Sequence, residues 1–178
     1  LIAGESGISP ITLFDASDLP CRIAGEVSAF DPFEFIDSSM KPHRMGRFTQ
    51  MAISAARMAV DGSLLTPAEM AAQREIPIVL GVSTTAMDMV SKQPMPFTAS
   101  NAIPHAATSA VGYMFDINSK LLTLSNGCAS SLDAIAMAAL HIQAGRNDVA
   151  IAGGAESSMT RYVFESMLKS RRCSTRNG

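Results

Sequence analysis

The chain has 178 residues, of which 47% are apolar and 17% are charged, and its formal net charge is −2. This length suits one domain or one lobe of a larger one, the apolar content excludes a wholly disordered chain, and the near-neutral charge offers no footprint for nucleic acid. Because charged residues usually make up ~25% of a globular domain, we expect part of this surface to contact other protein.

The first part of the chain predicts loops followed by helices. Residues 1–40 are punctuated by Gly, Ser, Pro and Asp, which favours loops, with an edge strand at residues 22–27. Residues 46–61 carry apolar side chains at helical spacing, which predicts a helix. We place six residues on its inward face: Phe48, Met51, Ile53, Ala55, Met58 and Ala59. Thr66 and Pro67 suit the N-cap and first position of a further short helix.

The middle of the chain predicts a buried strand and a second long helix. Residues 76–82 form an almost continuous apolar run of strand length, which is typical of a buried strand. Residues 100–114 are rich in Ala and other small residues, which predicts a closely packed helix.

Residues 121–154 contain a strand, a turn, a helix and another strand. The strands are residues 121–124 and 148–154, the turn is residues 125–128, and the helix is residues 129–144. The predicted inward stripe of the helix consists of Leu132, Ile135, Ala136, Ala139 and Ile142, and Gly145 ends the helix. This βαβ unit predicts an α/β fold with a mostly parallel sheet and helices on both faces.

Cys128 lies where the strand and turn give way to the helix. The partial positive charge at a helix N-terminus favours a thiolate, and the free N–H groups there can stabilise a tetrahedral oxyanion. We therefore identify Cys128 as a candidate nucleophile. The alternative is an inert cysteine packed beneath the sheet. Cys21 and Cys173 lack such a setting, and we assign them structural roles.

None of the three histidines is a convincing base for Cys128. His141 follows Cys128 by about 13 residues, which at ~1.5 Å per residue along a helix is too far for proton transfer. We expect His141 to interact with the C-terminus of that helix. His43 lies in a polar loop and is predicted to be a surface residue, and His105 is predicted to pack or to cap a helix.

Several classes of protein and site can be excluded. The longest apolar run, residues 134–140, is far short of the ~20 residues that a membrane span requires. Three cysteines at irregular spacing predict neither a disulfide framework nor a zinc site, and no other metal or cofactor is predicted. We therefore expect a reducing, cytoplasmic location. A first residue other than Met and a polar last segment suggest part of a longer polypeptide.

The segment around Cys128 resembles an elongating β-ketoacyl-acyl-carrier-protein synthase, a member of the thiolase-fold superfamily. The resemblance is carried by residues 125–138 and continues through residues 144–156. It extends along nearly the whole chain, in the order expected for the family, through residues 3–8, 30–37 and 44–50, Leu80-Gly81 and residues 174–177.

This resemblance implies a thiolase-like fold of two similar lobes. Each lobe has a mixed, mostly parallel sheet with helices, which gives a layered αβαβα architecture, and the enzymes are usually homodimers. Residues 1–178 correspond to the N-terminal lobe, truncated at both ends. The second lobe, in which the family carries two catalytic histidines and a lysine, would then be absent, and residues 1–178 alone would be inactive.

The resemblance also implies an acyltransferase activity. Cys128 would take an acyl group from acyl-carrier protein, with its backbone N–H contributing to the oxyanion hole. Decarboxylation of malonyl-carrier protein would supply the carbanion that attacks the acyl-Cys, giving a 3-oxoacyl product in fatty-acid or polyketide synthesis. Thr84 and Met167 would line the acyl channel, with Thr98 contributed by the partner subunit.

Two segments depart from the family pattern, and two other functions stay open. Gly127 stands where the family usually has Ala, and residues 116–120 replace a Gly-x-x-Gly-Pro loop. A thiolase-type enzyme shares an Asn shortly before its Cys. A non-catalytic ketosynthase-like partner subunit would lack the Cys, so Cys128 favours catalysis in the parent protein.

Overall fold

The computed structural model describes residues 3–90 and 96–177. The strands are β1 (Ile8–Pro10), β2 (Ile23–Gly25), β3 (Ile76–Gly81), β4 (Ser119–Leu124) and β5 (Ile151–Gly154). The helices are α1 (Arg47–Asp61), α2 (Pro67–Ala71), α3 (Met87–Val90), α4 (Thr98–Asn101), α5 (Ala106–Phe115), α6 (Ser130–Gln143) and α7 (Arg161–Lys169). The chain divides into two compact units: the described residues up to Phe30 and from Ser158 onward, and Asp31–Ser157.

The first unit combines a two-stranded antiparallel ribbon with α7. Strands β1 and β2 pair with Ile8 opposite Gly25, which confirms the predicted edge strand in a shorter form. Helix α7 is tied to the N-terminal loop by Arg161, whose guanidinium lies 2.6 Å from the Asp18 carboxylate. That hydrogen bond holds the pKa of Asp18 below its usual value. Phe14 adds a tilted ring contact to Phe164 of α7, at 5.7 Å between centroids.

The second unit is built on a parallel sheet with the order β4-β3-β5. Strand β3 is central and all six of its residues are buried, as its apolar run predicts. At the carboxyl edge of the sheet, Gly81 of β3 lies opposite Leu124 of β4 and Gly154 of β5. The predicted parallel arrangement is confirmed, although α6 carries the chain past β3 rather than to an adjacent strand.

Helices cover both faces of this sheet. Ile78 and Leu80 of β3 lie in a core that includes Ile53 of α1 and Val111 of α5. Val79 points to the opposite face, where it packs against the small side chains of α6. The α/β class predicted from the sequence is therefore confirmed.

Helix α1 forms where predicted, but its predicted inward face is partly wrong. The buried residues are Phe48, Thr49, Ala52, Ile53, Ser54 and Ala56. Of the six residues expected there, Phe48 and Ile53 are buried and Met51 is half-buried, whereas Ala55, Met58 and Ala59 are exposed. The inward stripe repeats every four residues from Phe48 through Ala52 to Ala56, so small and polar side chains take positions that hydrophobicity alone would not choose.

The helix expected at residues 100–114 is interrupted. The chain forms α4, then a short break, and then α5. Pro104 lies in the break; it lacks a backbone N–H and disfavours helical backbone at Ile103. Asn101, at the end of α4, connects this break to the start of α1. Its side-chain oxygen accepts a hydrogen bond from the backbone N–H of Gly46 at 3.0 Å.

Helix α6 also forms where predicted, with its faces reversed. Its buried residues are Ser130, Ala134, Ala138 and His141. Leu132, Ile135 and Ile142, which were expected to face the core, are exposed by 70%, 51% and 44%. The small residues face the sheet because the helix approaches β3 and β5 closely. The larger apolar side chains therefore lie on the outer face.

Candidate active site

Cys128 lies in a sharp turn between β4 and α6. The turn uses Gly127 at a φ of +59°, a left-handed conformation that glycine adopts without steric cost. Helix α6 begins two residues after Cys128, at Ser130. The Cys128 side chain is exposed, so it is not packed beneath the sheet as the alternative required. The predicted placement at a strand-to-helix junction is confirmed.

Two glycines let the start of α6 rest directly on the sheet. A Cβ atom at Gly81 would lie 2.2 Å from the backbone carbonyl of Ser130 and 2.5 Å from the backbone nitrogen of Ser131. A Cβ atom at Gly154 would lie 1.8 Å from the Ser131 Oγ. Both distances are far below van der Waals contact. The helix can therefore reach this depth only because paired positions of β3 and β5 lack side chains.

Hydrogen bonds within the turn hold its backbone. The Ser130 Oγ accepts a hydrogen bond from the Asn126 backbone N–H and donates one to the Gly127 carbonyl, each at 2.7 Å. The Asn126 side chain donates to an Asp133 carboxylate oxygen in the first turn of α6, at 2.8 Å. These three hydrogen bonds connect the turn to α6.

Among residues 3–90 and 96–177, the backbone pairing of Cys128 is a bridge to Asn126 within the turn, and no hydrogen bond joins its N–H to another part of the chain. Cys128 directly precedes Ala129, the N-cap of α6, and a helix N-terminus attracts negative charge. An oxygen that becomes negatively charged next to the Cys128 sulfur would therefore lie close to the positive end of the helix dipole. The arrangement suits a nucleophilic thiol that forms a tetrahedral intermediate.

Thr84 and Glu156 lie at the same edge of the sheet as Cys128. Thr84 follows β3 and Glu156 follows β5, and these two strands are paired at their carboxyl ends. The Glu156 carboxylate accepts hydrogen bonds from the Thr84 backbone N–H at 2.5 Å and from its Oγ1 at 3.0 Å. Thr98, in contrast, is the first residue of α4 and is half-buried. Met167 belongs to α7 in the first unit.

The histidines are engaged in contacts of their own. His105 Nδ1 lies 2.7 Å from Thr123 Oγ1, so the predicted packing role is confirmed, whereas its side chain makes no capping bond to α5. His141 lies in the last turn of α6, as expected, and its Nδ1 is 3.2 Å from Asn147 Oδ1. His43 is exposed. In the described part of the chain, no histidine is hydrogen-bonded to Cys128.

Comparison with known protein families decides the assignment. The profile of the β-ketoacyl synthase N-terminal domain matches residues 1–178. The chain belongs to the β-ketoacyl synthase family. The family resemblance noted around Cys128 is therefore confirmed across the whole chain.

Curated relatives of this β-ketoacyl synthase domain share about a third of its residues. The 3-oxoacyl-acyl-carrier-protein synthase 2 of Coxiella burnetii is 32% identical over 188 residues, which cover 99% of this chain and 45% of that protein. The protein of the same name from Synechocystis sp. is 30% identical over the same shares. The chain thus spans less than half the length of these relatives.

Solved structures confirm the fold of the domain. The ishigamide ketosynthase/chain length factor matches with a TM-score of 0.76 and 26% identity, over 94% of this chain and 44% of that one. The thiolase-like α/β fold expected for this β-ketoacyl synthase domain is therefore confirmed. The described part of this domain has a parallel sheet with helices on both faces.

The other two cysteines of the synthase domain are poor nucleophiles. Cys21 is only 3% exposed. Cys173 is half-buried, and burial, followed by the nearby Cys21 thiol, raises its pKa above the usual value. The structural roles expected for both thus agree with their burial. Among the described residues, no cluster of His, Cys, Asp and Glu could hold a metal ion, and no helix could cross a membrane.

From the sequence, Ser130 is expected only as a small residue that leaves room for a bound group beside Cys128, whereas the structure buries it beneath the turn. The sequence assigns no site role to Glu156 or to the paired glycines. A usable signal for Ser130 was a hydroxyl residue four positions after Asn126, at the first position of the helix. For Gly81 and Gly154, the signal was a glycine at the end of each apolar strand.

Proposed function

We propose that this chain is the nucleophile-bearing lobe of an acyltransferase that performs decarboxylative Claisen condensation. The Cys128 thiolate attacks the thioester carbonyl of an acyl-carrier protein, and the carrier thiol leaves. Malonyl-carrier protein loses CO₂, and its carbanion attacks the acyl-Cys carbonyl to form a 3-oxoacyl-carrier protein and release Cys128. The exposed Cys128 in the turn that leads into α6 carries this proposal.

The exposed apolar side chains on the outer face of α6 are an argument that a second lobe covers this helix. Leu132 and Leu140 are exposed by 70% and 57%, and Ile135 and Ile142 extend the same apolar surface. A contiguous apolar surface on a helix is typical of a face that another element covers. The relatives are more than twice as long as this chain. We place the family's catalytic histidines and lysine in that second lobe.

A homodimer and a carrier-protein partner complete the proposal. Strand β4 is at an edge of the described sheet, and an unpaired strand edge readily pairs with a second chain. The relatives are named for acyl-carrier protein, which makes a carrier-bound thioester the expected substrate. The three cysteines are free thiols, which supports a reducing, cytoplasmic setting.

The two alternative functions make different predictions about Cys128. A thiolase-type enzyme would also use a nucleophilic cysteine, but the family match favours the condensing reaction. A ketosynthase-like partner subunit without catalysis would need no reactive thiol at this turn. The exposed Cys128 therefore favours a catalytic subunit, in which fatty-acid or polyketide synthesis would use the product.

Acylation should be confined to Cys128. We expect the whole protein, incubated with an acyl-carrier protein, to carry its acyl group on the peptide that contains Cys128, as measured by mass spectrometry. Cys21 is buried and the Cys173 thiolate is disfavoured, so neither should be labelled. A Cys128→Ala variant is the control. An acyl group on Cys21 or Cys173 in the wild-type protein would contradict the assignment.

We also propose, from the family resemblance, that Thr84, Thr98 and Met167 contact the acyl chain. Met167 is 40% exposed on α7. Met167→Trp adds a bulky ring, and we expect the longest accepted acyl chain to become shorter. The measurement is the relative rate with carrier-bound acyl groups of increasing length. Tyr162→Trp, on the same helix and 71% exposed, is the matched control. An unchanged length profile removes Met167 from the channel.

A further inference from the structure

The Ser130 hydroxyl lies at the centre of the turn that carries Cys128, residues 125–128, which we call the nucleophile turn. Ser130 is 3% exposed, and its Oγ makes both of its hydrogen bonds to the backbone just before Cys128. The carbonyl of Gly127, which accepts one of these bonds, belongs to the same planar peptide group as the N–H of Cys128. Whatever orients that carbonyl therefore also orients the Cys128 N–H, in the opposite direction.

Apart from the bridge between Asn126 and Cys128 within the turn, few contacts restrain this peptide group. Gly127 has no heavy atom within 4 Å of the position that a Cβ would take, so no neighbouring side chain restrains it from that direction. Glycine also permits a wide range of backbone conformations. The Gly127 carbonyl accepts two bonds, one from the Ser130 Oγ at 2.7 Å and a longer one from the Ser130 N–H at 3.2 Å. Ser130 thus supplies both restraints.

Ser130 is itself held in place by the sheet. Its backbone carbonyl lies against Gly81 of β3, so closely that a methyl group could not be inserted. The side chain then spans from this fixed backbone to the turn. A rigid strand, a helix start and a single hydroxyl therefore form a continuous support for the peptide group between Gly127 and Cys128.

We propose that Ser130 is a positioning residue that aims the Cys128 N–H at the oxyanion formed during acyl transfer. This inference rests on the proposed function. When the Cys128 sulfur bonds to the thioester carbon, the electron pair of the carbonyl moves onto oxygen, and the Cys128 N–H donates to that oxygen. The pair returns when the carrier thiolate leaves. Ser130 transfers no proton and touches no substrate atom.

Two reactions of the same thiol separate positioning from simple folding. Acylation by an acyl-carrier-protein thioester passes through an oxyanion, whereas alkylation by iodoacetamide displaces iodide and forms none. In the whole protein, we expect Ser130→Ala to slow acylation of Cys128 by about 100-fold, the loss typical of one oxyanion donor. Alkylation should change by less than about threefold, because the thiol stays exposed and that reaction needs no oxyanion donor.

Matched variants define the outcome. Ser130→Thr keeps the hydroxyl and should retain most of the acylation-to-alkylation ratio. Ser131→Ala removes the neighbouring exposed hydroxyl, which makes no hydrogen bond in the described part of the chain, and should leave the ratio unchanged. The inference is overturned if Ser130→Ala keeps the wild-type ratio or lowers both rates equally. If the wild-type protein is not acylated at Cys128, the proposed function fails and this inference fails with it.

Discussion

Gly81→Ala should displace the start of α6 and sharply slow acylation of Cys128. The new methyl carbon would lie 2.2 Å from the Ser130 carbonyl, and relief to ordinary contact requires a backbone shift of roughly 1 Å. Overpacking of this kind costs up to about 3 kcal/mol of folding free energy. A shift of that size at a reacting group slows reaction by about 100-fold.

Gly153→Ala provides a close control for this experiment. Gly153 lies one residue before Gly154 in β5, and no atom lies within 4 Å of the position that its Cβ would take. We expect this variant to match the wild-type protein in both urea unfolding and the rate of Cys128 acylation. If Gly81→Ala also matches the wild-type protein, then the start of α6 does not rest on β3 as the structure shows.

Gly154→Ala should lie between these two variants. Its methyl carbon would contact mainly the Ser131 side chain, at 1.8 Å from Oγ and 2.7 Å from Cβ. Rotation of the Ser131 side chain can move its Oγ away, but not its Cβ, so only part of the clash is relieved. The graded series Gly81, Gly154 and Gly153 therefore reports how closely each strand end supports the nucleophile turn.

The nucleophile turn was predictable because its determinants are local. Gly127 must adopt a positive φ, the apolar run of β4 ends just before the turn, and a helical sequence follows at once. Each feature acts over a few residues, so the strand-to-helix junction could be deduced from the sequence around Cys128, whereas the exposure of its side chain was left open. Thr66 behaved in the same way, since its side chain forms a capping box with Glu69.

The buried face of α6 could not be predicted because it depends on distant residues. Hydrophobicity favours Leu132 and Ile135 as core residues, yet the sheet accepts only Ser130, Ala134 and Ala138 at the distance set by Gly81 and Gly154. That distance depends on β3, β5 and α6 together. The same reasoning applies to Ser130, whose role depends on which backbone atoms its hydroxyl reaches.

The isolated chain should lack condensing activity, because its described residues offer no histidine as a hydrogen-bond partner for Cys128. Purified residues 1–178 should not condense acyl- and malonyl-carrier protein at a measurable rate. General acid–base catalysis and electrostatic stabilisation each contribute about 10²–10⁴-fold, and no histidine of the described chain is hydrogen-bonded to Cys128. We therefore expect turnover at least about 10⁴-fold below that of the whole protein.

The isolated chain should also be poorly soluble, because Leu132, Ile135 and Leu140 would remain open to water. The decisive comparison adds the remaining part of the whole protein as a separate polypeptide. If that part supplies the cover for α6 and the acid–base groups, solubility and condensation should both return. Cys128→Ala in residues 1–178 is the control, since it leaves the α6 surface intact and should restore solubility without condensation.

Condensation by residues 1–178 alone at a rate within tenfold of the whole protein would place the catalytic base inside this chain. His105, held by Thr123 near the end of β4, would then be the first residue to substitute.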